Sequence, residues 1–441
     1  MHKTDGIEIR LDCISNIDKD VLASFLQTTN QPVLFTLRKS AQGGFFKGAE
    51  EERLALFEDL LHLRPEFADI EYDTDPRFVK RIANKFPETK LILSYHNFEN
   101  TPQDLENILK TMHSPYAYGY KIATYATSSL DALRMLLFTK THPRVAGLCM
   151  GEEGTITRIL SPVFGSLFNY TYEENQIAPG QLPVHTLLNT YNYKRLNPST
   201  KLFGLIGDPV THSIGHIVHN AAMKKLNFNA VYVKMRVQET EVQDFLDLAA
   251  TCNFKGLSVT APLKEKVLPG KVVNTLKDCF IGHNTDGTGC MDAIEAHIQI
   301  ANARITILGT GGAAKAIAKE SVARKAITTV YGRNFDKAHA IAQEIGCNAS
   351  QNIDAYDVLI NATSSLDPIS LDCLIPKTYV MDIHTHPEFP PLLIEAKKRG
   401  CFPIFGREMF FHQAARQLHL WFEEPVSASF LCDLYRAELQ A

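Results

Sequence analysis

Long apolar runs are missing from this chain. None reaches the roughly eighteen residues of a membrane-spanning helix, which excludes a helical membrane protein. The cysteines do not pair: there are nine, an odd number, scattered and without C-x-x-C spacing. That excludes a disulfide framework or a zinc ribbon and points to a reducing compartment. Charge of one sign is not in excess, and a net charge of −4 leaves no footprint for nucleic acid or an anionic membrane. His212, His384, His386 and His412 fall at no metal-ligand spacing, so no metal is expected. Repeats, low-complexity tracts and a signal or transit pattern are also absent, and a strand begins almost at once, at Ile7. These absences leave a cytoplasmic protein with small-molecule partners, and they set no oligomeric state. What is present is ordinary for an α/β protein: 45% hydrophobic and 21% charged over 441 residues, enough for two or three domains.

The chain is organised around residues 305–333. Ile305 to Leu308 reads as a short buried strand, Gly309, Gly311 and Gly312 as a tight turn, and Ala313 to Ala323 as a helix. Glycines here let the backbone approach a pyrophosphate, which then sits among the unpaired N–H groups of the helix start. A second strand, Thr328 to Tyr331, follows at βαβ distance and ends in Gly332-Arg333. An acidic residue there would take the ribose hydroxyls of NAD, whereas a guanidinium matches a 2′-phosphate. The cofactor expected is therefore NADP(H).

The first half alternates strands with amphipathic stretches, the pattern of parallel βα units. The strand candidates are Ile7–Asp12, Val33–Arg38, Phe67–Tyr72, Lys90–His96, Tyr118–Ala123, Val145–Met150 and Leu167–Tyr172. Polar residues inside such strands need a purpose, because a parallel sheet is covered on both faces. Glu8, Arg10 and Asp12 share one face of the first strand, Arg38 ends the second, and His96 ends the fourth. Lys121 lies mid-strand with only Gly119 and Ala123 beside it on its face. In a (β/α) barrel such positions project into the lumen, towards its catalytic C-terminal end. A buried lysine becomes a nucleophile towards carbonyls once its pKa falls from about 10.4 to roughly 7–8. Arg10, Arg38 and Arg158 are expected to push it that way, with His96 placed to move a proton at the carbon next to an imine.

These residues resemble type I 3-dehydroquinate dehydratases along nearly all of this half. The matching stretches are Glu8-Ile9-Arg10-Leu11-Asp12, Phe35-Thr36-Leu37-Arg38 with Gly43-Gly44, Ser94-Tyr95-His96-Asn97-Phe98, Lys121-Ile122-Ala123, Thr157-Arg158, Val163-Phe164-Gly165-Ser166 and Ala178-Pro179-Gly180-Gln181. The resemblance implies that Lys121 forms a Schiff base with the substrate ketone and that His96 removes the adjacent proton. Arg158 and Gln181 would hold the carboxylate and hydroxyls, and Glu8, Arg10 and Arg38 would line the pocket. Three departures stand out. Ile177 replaces a hydroxyl residue that contacts substrate, Asn97 replaces an aspartate, and the family's first strand is absent, leaving seven strands where closure needs eight. A chain extended upstream by about 35 residues, one βα unit, is expected to be more stable and more active as a dehydratase.

The polar stretch Tyr191 to Lys201 marks the main boundary. Beyond it, Thr260, Lys264 and Asp286 fall at strand-to-helix junctions, where ligands approach open α/β sheets. A carbonyl receiving hydride needs a proton on its oxygen, and a lysine held by an aspartate can donate it. The spelling resembles shikimate dehydrogenases: His212-Ser213, Val259-Thr260-x-Pro262-x-Lys264, Val273-Asn274-Thr275, Asn284-Thr285-Asp286-Gly287, the Gly309–Gly312 turn, Asn361-Ala362-Thr363-Ser364 and Met409-Phe410-Phe411-His412-Gln413-Ala414-Ala415. By that resemblance Lys264 and Asp286 are the catalytic pair, and Ser213, Thr260, Asn274 and Gln413 grip the substrate. Gly309, Gly311, Gly312 and Ala313 cradle the cofactor, Arg333 reads its 2′-phosphate, and Thr363 lies near the nicotinamide. Gly215 replaces a second serine, Thr385 a tyrosine, Leu366 a glycine and Gly332 an asparagine. Only ten residues separate Lys264 from Asn274, shorter than the family pattern.

One resembled family makes what the other consumes. The expectation is a bifunctional enzyme of the shikimate pathway in aromatic amino acid biosynthesis. It would convert 3-dehydroquinate to 3-dehydroshikimate and reduce that to shikimate. The alternative is a quinate/shikimate dehydrogenase carrying a weakened or non-catalytic barrel. The expected fold is α/β: an N-terminal (β/α) TIM-type barrel lacking its first strand over residues 1–193, a substrate domain over 200–297 plus 406–441, and a Rossmann NADP-binding domain over 298–405.

Overall fold

The computed structural model describes residues 4–278 and 280–440. The chain divides into two compact units, Met1–Thr200 and Lys201–Ala441. No helix among the described residues is long and apolar enough to cross a membrane.

The first unit is one parallel sheet of six strands in chain order: β1 (Ile7–Arg10), β2 (Val33–Thr36), β3 (Phe67–Glu71), β4 (Lys90–His96), β5 (Gly119–Tyr125) and β6 (Val145–Met150). Helices join successive strands, and three start on an aspartate that caps backbone N–H groups, Asp18, Asp75 and Asp104. Period two sorts the side chains. Val33, Phe35, Ile70, Leu91, Leu93 and Ile122 form the core with helix residues such as Phe57, Ile82 and Met135. The register pairs Arg10 with Thr36, Thr36 with Asp69 and Ser94 with Lys121, which puts the polar set on the opposite face.

Two expectations about strands are corrected. The first strand stops at Arg10, and Leu11–Cys13 forms a 3-10 turn that carries Asp12 off the sheet face. Asp12 instead grips Arg10 through two hydrogen bonds, at 3.0 and 2.7 Å. Leu167–Tyr172 is not a strand. Leu167 N donates to Val145 O as an eighth strand would, but the segment then leaves β6 and makes only an isolated bridge, Tyr172 with Pro183. A closing strand needs a neighbour on each side. Here the side towards β1 is an open cavity of about 1010 Å³, lined by Glu8, Leu34, Phe168, Tyr170 and Gln181 among others. Side chains hold the segment instead: Asn169 Nδ2 donates to Arg158 O, and Thr171 Oγ1 to Leu182 O.

The second unit has two sheets. β7 (Lys201–Gly207), β8 (Ala230–Arg236), β9 (Phe254–Val259), β10 (Thr275–Lys277) and β11 (Ile281–His283) run in the order β11-β10-β9-β7-β8. β7 is parallel to β8 and β9, and β10 is antiparallel to its neighbours. β12 (Arg304–Leu308), β13 (Ile327–Tyr331), β14 (Asn348–Ser350), β15 (Val358–Asn361), β16 (Tyr379–Asp382) and β17 (Phe402–Phe405) form a parallel sheet ordered β14-β13-β12-β15-β16-β17. Its order reverses between β12 and β15, the crevice where such sheets bind dinucleotides. The helix Gly406–Phe422 then returns to the first of these sheets. Trp421 Nε1 donates to Leu276 O, and Gln417 spans Ser258 and Thr275.

Two candidate active sites

In the first unit Lys121 is 7% exposed, and its Nζ lies 3.3 Å from Asp69 Oδ2. Burial lowers its pKa, and Arg38 adds to the effect as expected; Asp69 and Glu8 oppose it. Asp69 was not singled out from the sequence, although Asp69 and Glu71 alternate with apolar residues in β3 as Glu8 and Arg10 do in β1. It is the hub of the site. Arg38 Nη2 stands 2.7 Å from Asp69 Oδ2, and Ser94 Oγ donates to Oδ1 at 2.5 Å while accepting from Arg38 Nη1. Arg38 holds the Asp69 carboxyl well below the usual range against the opposing effect of burial.

His96 sits further along β4 on the Ser94 face. Its backbone N and its Nδ1 both approach Gln42 Oε1, at 3.1 and 3.2 Å. An amide oxygen only accepts, so Nδ1 carries the proton and Nε2 keeps its lone pair. Burial, with Arg38 and Lys121 nearby, holds the imidazole well below its ordinary pKa, which favours its neutral form. Gln42, also missed from the sequence, lies in the loop after β2, where residue spacing gives no sign of it.

Arg158 is 1% exposed on the short helix Thr155–Ile159, and its Nε and Nη1 have no partner. Burial without a carboxylate lowers its pKa to about 10. A buried, uncompensated guanidinium is costly, and an incoming anion relieves that cost. Gln181 Oε1 accepts from Ile177 N and Ala178 N, leaving its NH₂ to donate. Gly180 presses this loop onto Gly151 at the end of β6, where a Cβ would come within 2.3 Å of Gly151 O. Glu8 Oε1 accepts from Thr36 Oγ1 at 2.7 Å. Arg10, at the end of β1, is committed to an ion pair with Asp12 at 2.7 Å.

In the second unit Lys264 Nζ is bonded to Asp286 Oδ2. Asn274 Nδ2 donates to Asp286 Oδ1 at 2.8 Å, and Thr285 N donates to Asn274 Oδ1. Gln413 Oε1 receives Thr285 Oγ1 at 3.2 Å and Asn274 Nδ2 at 3.4 Å. Two glycines make this approach possible. A Cβ on Gly289 would lie 2.8 Å from Gln413 N, and one on Gly287 would lie 2.3 Å from Ala316 O. The helix Asp286–Glu295 is thereby clamped between the helix after the glycine turn and the helix carrying Gln413.

Ser213 Oγ accepts from Gly215 N at 3.1 Å. A Cβ at Gly215, where a serine is expected, would lie 3.1 Å from that hydroxyl and 3.4 Å from the Tyr232 hydroxyl. Thr260 follows β9 and packs its methyl on Gly207, beside the Asp208–Ser213 loop. In the loop around Thr385, His384 Nδ1 pairs with Asp382 at 2.6 Å, and His386 stacks on His212 with ring centroids 4.5 Å apart.

The glycine turn fits a dinucleotide. Gly309 has φ +122°, and its Cβ would lie 2.9 Å from Ala362 O and 3.3 Å from Thr363 Cγ2. A Cβ on Gly311 would meet nothing, so open space lies over the turn. The helix Gly312–Ala323 starts there without a side-chain cap, so the N–H groups of Gly312 and Ala313 are free for phosphate oxygens. A Gly312 Cβ would sit 3.5 Å from Lys264 Cβ, which brings the turn to the candidate proton donor. Arg333 is exposed just past β13 and forms no salt bridge among the described residues. Thr363 Oγ1 donates to buried Asn361 at 2.7 Å.

Comparison with known proteins gives the families of both units. Models of three families match: type I 3-dehydroquinase over residues 1–198, shikimate dehydrogenase substrate binding domain over 205–278, and shikimate / quinate 5-dehydrogenase over 292–384. The shikimate biosynthesis protein AroDE of Chlamydia pneumoniae is 34% identical over 99% of this chain and 94% of its own length. This chain belongs to the bifunctional 3-dehydroquinate dehydratase/shikimate dehydrogenase family. The chloroplastic bifunctional 3-dehydroquinate dehydratase/shikimate dehydrogenase of Arabidopsis thaliana is 33% identical over 95% of this chain and 77% of its own. Among solved structures, shikimate 5-dehydrogenase of Thermus thermophilus in complex with NADP(H) and shikimate superposes with a TM-score of 0.51. It is 26% identical and covers 54% of this chain and 99% of its own.

Proposed function

We infer that this chain is a bifunctional enzyme of the shikimate pathway, dehydrating 3-dehydroquinate to 3-dehydroshikimate and reducing that product to shikimate with NADPH. The observation that carries the reading is the presence, in separate units, of a buried lysine beside a neutral histidine and of a lysine–aspartate pair beside a glycine turn.

In the dehydratase, Lys121 attacks the substrate ketone and loses water to form an imine. Asp69 stays ionised and serves as counter-ion to the iminium, so it is not the base. His96 Nε2 takes the proton from the adjacent carbon; the electrons pass to the iminium nitrogen and then expel the hydroxyl, which receives that proton. Water releases the product and Lys121. Arg158 and Gln181 hold the carboxylate and hydroxyls, while Glu8, Arg10 and Arg38 shape the pocket. In the reductase, bound NADPH supplies the hydride. Lys264 gives the proton to the carbonyl oxygen, and Asp286 orients it. Asn274 and Gln413 fix Asp286 and the substrate hydroxyls, with Ser213 and Thr260 on the carboxylate side. Gly309, Gly311, Gly312 and Ala313 receive the pyrophosphate, Arg333 the 2′-phosphate, and Thr363 borders the nicotinamide.

We assign residues 1–193 to the dehydratase, 200–297 plus 406–441 to the reductase substrate domain and 298–405 to the cofactor domain. The free cysteines support a cytoplasmic location. A scaffold-only role for the first unit is not favoured, since Lys121, His96 and Arg158 are assembled there. The test is one tube: 3-dehydroquinate plus NADPH should yield shikimate, and borohydride with 3-dehydroquinate should label Lys121. A chain that oxidises shikimate but leaves Lys121 unlabelled would refute the dehydratase assignment.

A further inference from the structure

Tyr170 has no part in the chemistry above, yet its position requires one. Its ring lies over Lys121 Nζ, 4.5 Å from the ring centroid. Its hydroxyl is buried with no hydrogen-bond partner, a costly state for a phenol that could have been phenylalanine. The same cavity is lined by Tyr170, Glu8, Ile177 and Gln181. The neighbouring Asn169 ties the segment to Arg158 through Arg158 O, and Tyr170 lies within electrostatic reach of that guanidinium. Two buried groups that would donate to an anion, the Arg158 Nε–Nη1 edge and the Tyr170 hydroxyl, are thus left unsatisfied within electrostatic reach of each other. Ile177, which lines the cavity with Tyr170, carries no hydroxyl, although the dehydratase pattern has one there.

We propose that the Tyr170 hydroxyl is a substrate-binding donor of the dehydratase, bonding the substrate carboxylate beside Arg158 and supplying the contact that Ile177 cannot make. This rests on the dehydratase reading of the first unit. Tyr170→Phe keeps the ring over Lys121 and removes only the donor. In the full chain it should raise KM for 3-dehydroquinate about tenfold or more, the usual worth of a hydrogen bond to a charged group, with kcat little changed. Because the hydroxyl has no partner in the protein, the melting temperature should hold or rise, and shikimate oxidation by the second unit should be unaffected. Ile177→Ser added to Tyr170→Phe should recover part of the lost KM.

A KM within about twofold of the native value, in a chain whose Lys121 is still trapped by borohydride, would overturn the proposal. So would a clear fall in melting temperature, which would make the hydroxyl structural. Failure of the native chain to trap 3-dehydroquinate on Lys121 is a separate outcome: it removes the dehydratase reading, and this proposal with it.

Discussion

In the proposed mechanism the two lysines take opposite tasks, and their surroundings differ accordingly. Lys121 is 7% exposed, on a strand, among Asp69, Arg38 and an aromatic ring. Lys264 is half-buried, in a short turn between β9 and β10, and tied to Asp286. A nucleophile must spend time uncharged, and burial provides that by taxing the charged form. A proton donor must be aimed, and a carboxylate held by Asn274 provides that. Depth in the fold decides the first chemistry, and pairing decides the second.

The sharpest way to break this contrast is Lys121→Ala. It should lower dehydratase turnover about 10³-fold or more and abolish the borohydride adduct while shikimate oxidation persists. Lys264→Ala should do the reverse, cutting NADPH-dependent reduction about 10²- to 10⁴-fold with enone formation from 3-dehydroquinate intact. If either change silenced both reactions, the separation of tasks would be wrong. Asp69→Asn probes the hub of the first site. It leaves Arg38 buried without its main partner and should cost about 3–5 kcal/mol, read as a lower urea midpoint of the first unit. Arg333→Ala, at the exposed end of β13, should weaken NADPH by about tenfold and NADH hardly at all. Equal losses would remove the 2′-phosphate assignment.

A separate effect is expected in acid. Burial lowers His216 to about 3 and His219 to about 4, whereas the unfolded chain protonates both near about pH 6.5. Between those values the unfolded state holds more protons. Stability of the second unit is therefore complete above about pH 6.5 and falls as pH drops towards about 3. Trp421, the single tryptophan, has its ring 5.5 Å from that of His219, so its fluorescence reports on this unit. His219→Gln should flatten the acid limb of its unfolding free energy.

Much of this was legible in the residue order because the chemistry is written in short words. The glycine turn, Lys264 with Asp286, and the lysine between Gly119 and Ala123 each carry a local reason for their spelling. Helix and strand limits near them differ from expectation by a residue or two, as fraying ends do. What stayed hidden depends on contacts distant in sequence. Asp69 is an acidic residue in a strand until β2, β4 and β5 bring Arg38, Ser94 and Lys121 to it. Gln42 gains meaning only when its loop folds over β4. Leu167–Tyr172 has the composition of a strand, but composition cannot show that one of its two neighbours is missing.

The helix bearing Gln413 has a consequence for how the reductase comes into being. Every strand of the cofactor sheet precedes it in the chain, yet Asn274 and Thr285, laid down far earlier, receive one of their contacts from it. During synthesis the dinucleotide crevice can therefore be finished while the substrate pocket still lacks a wall. A nascent chain at that stage could hold its coenzyme but would have nowhere complete to seat the acid it reduces.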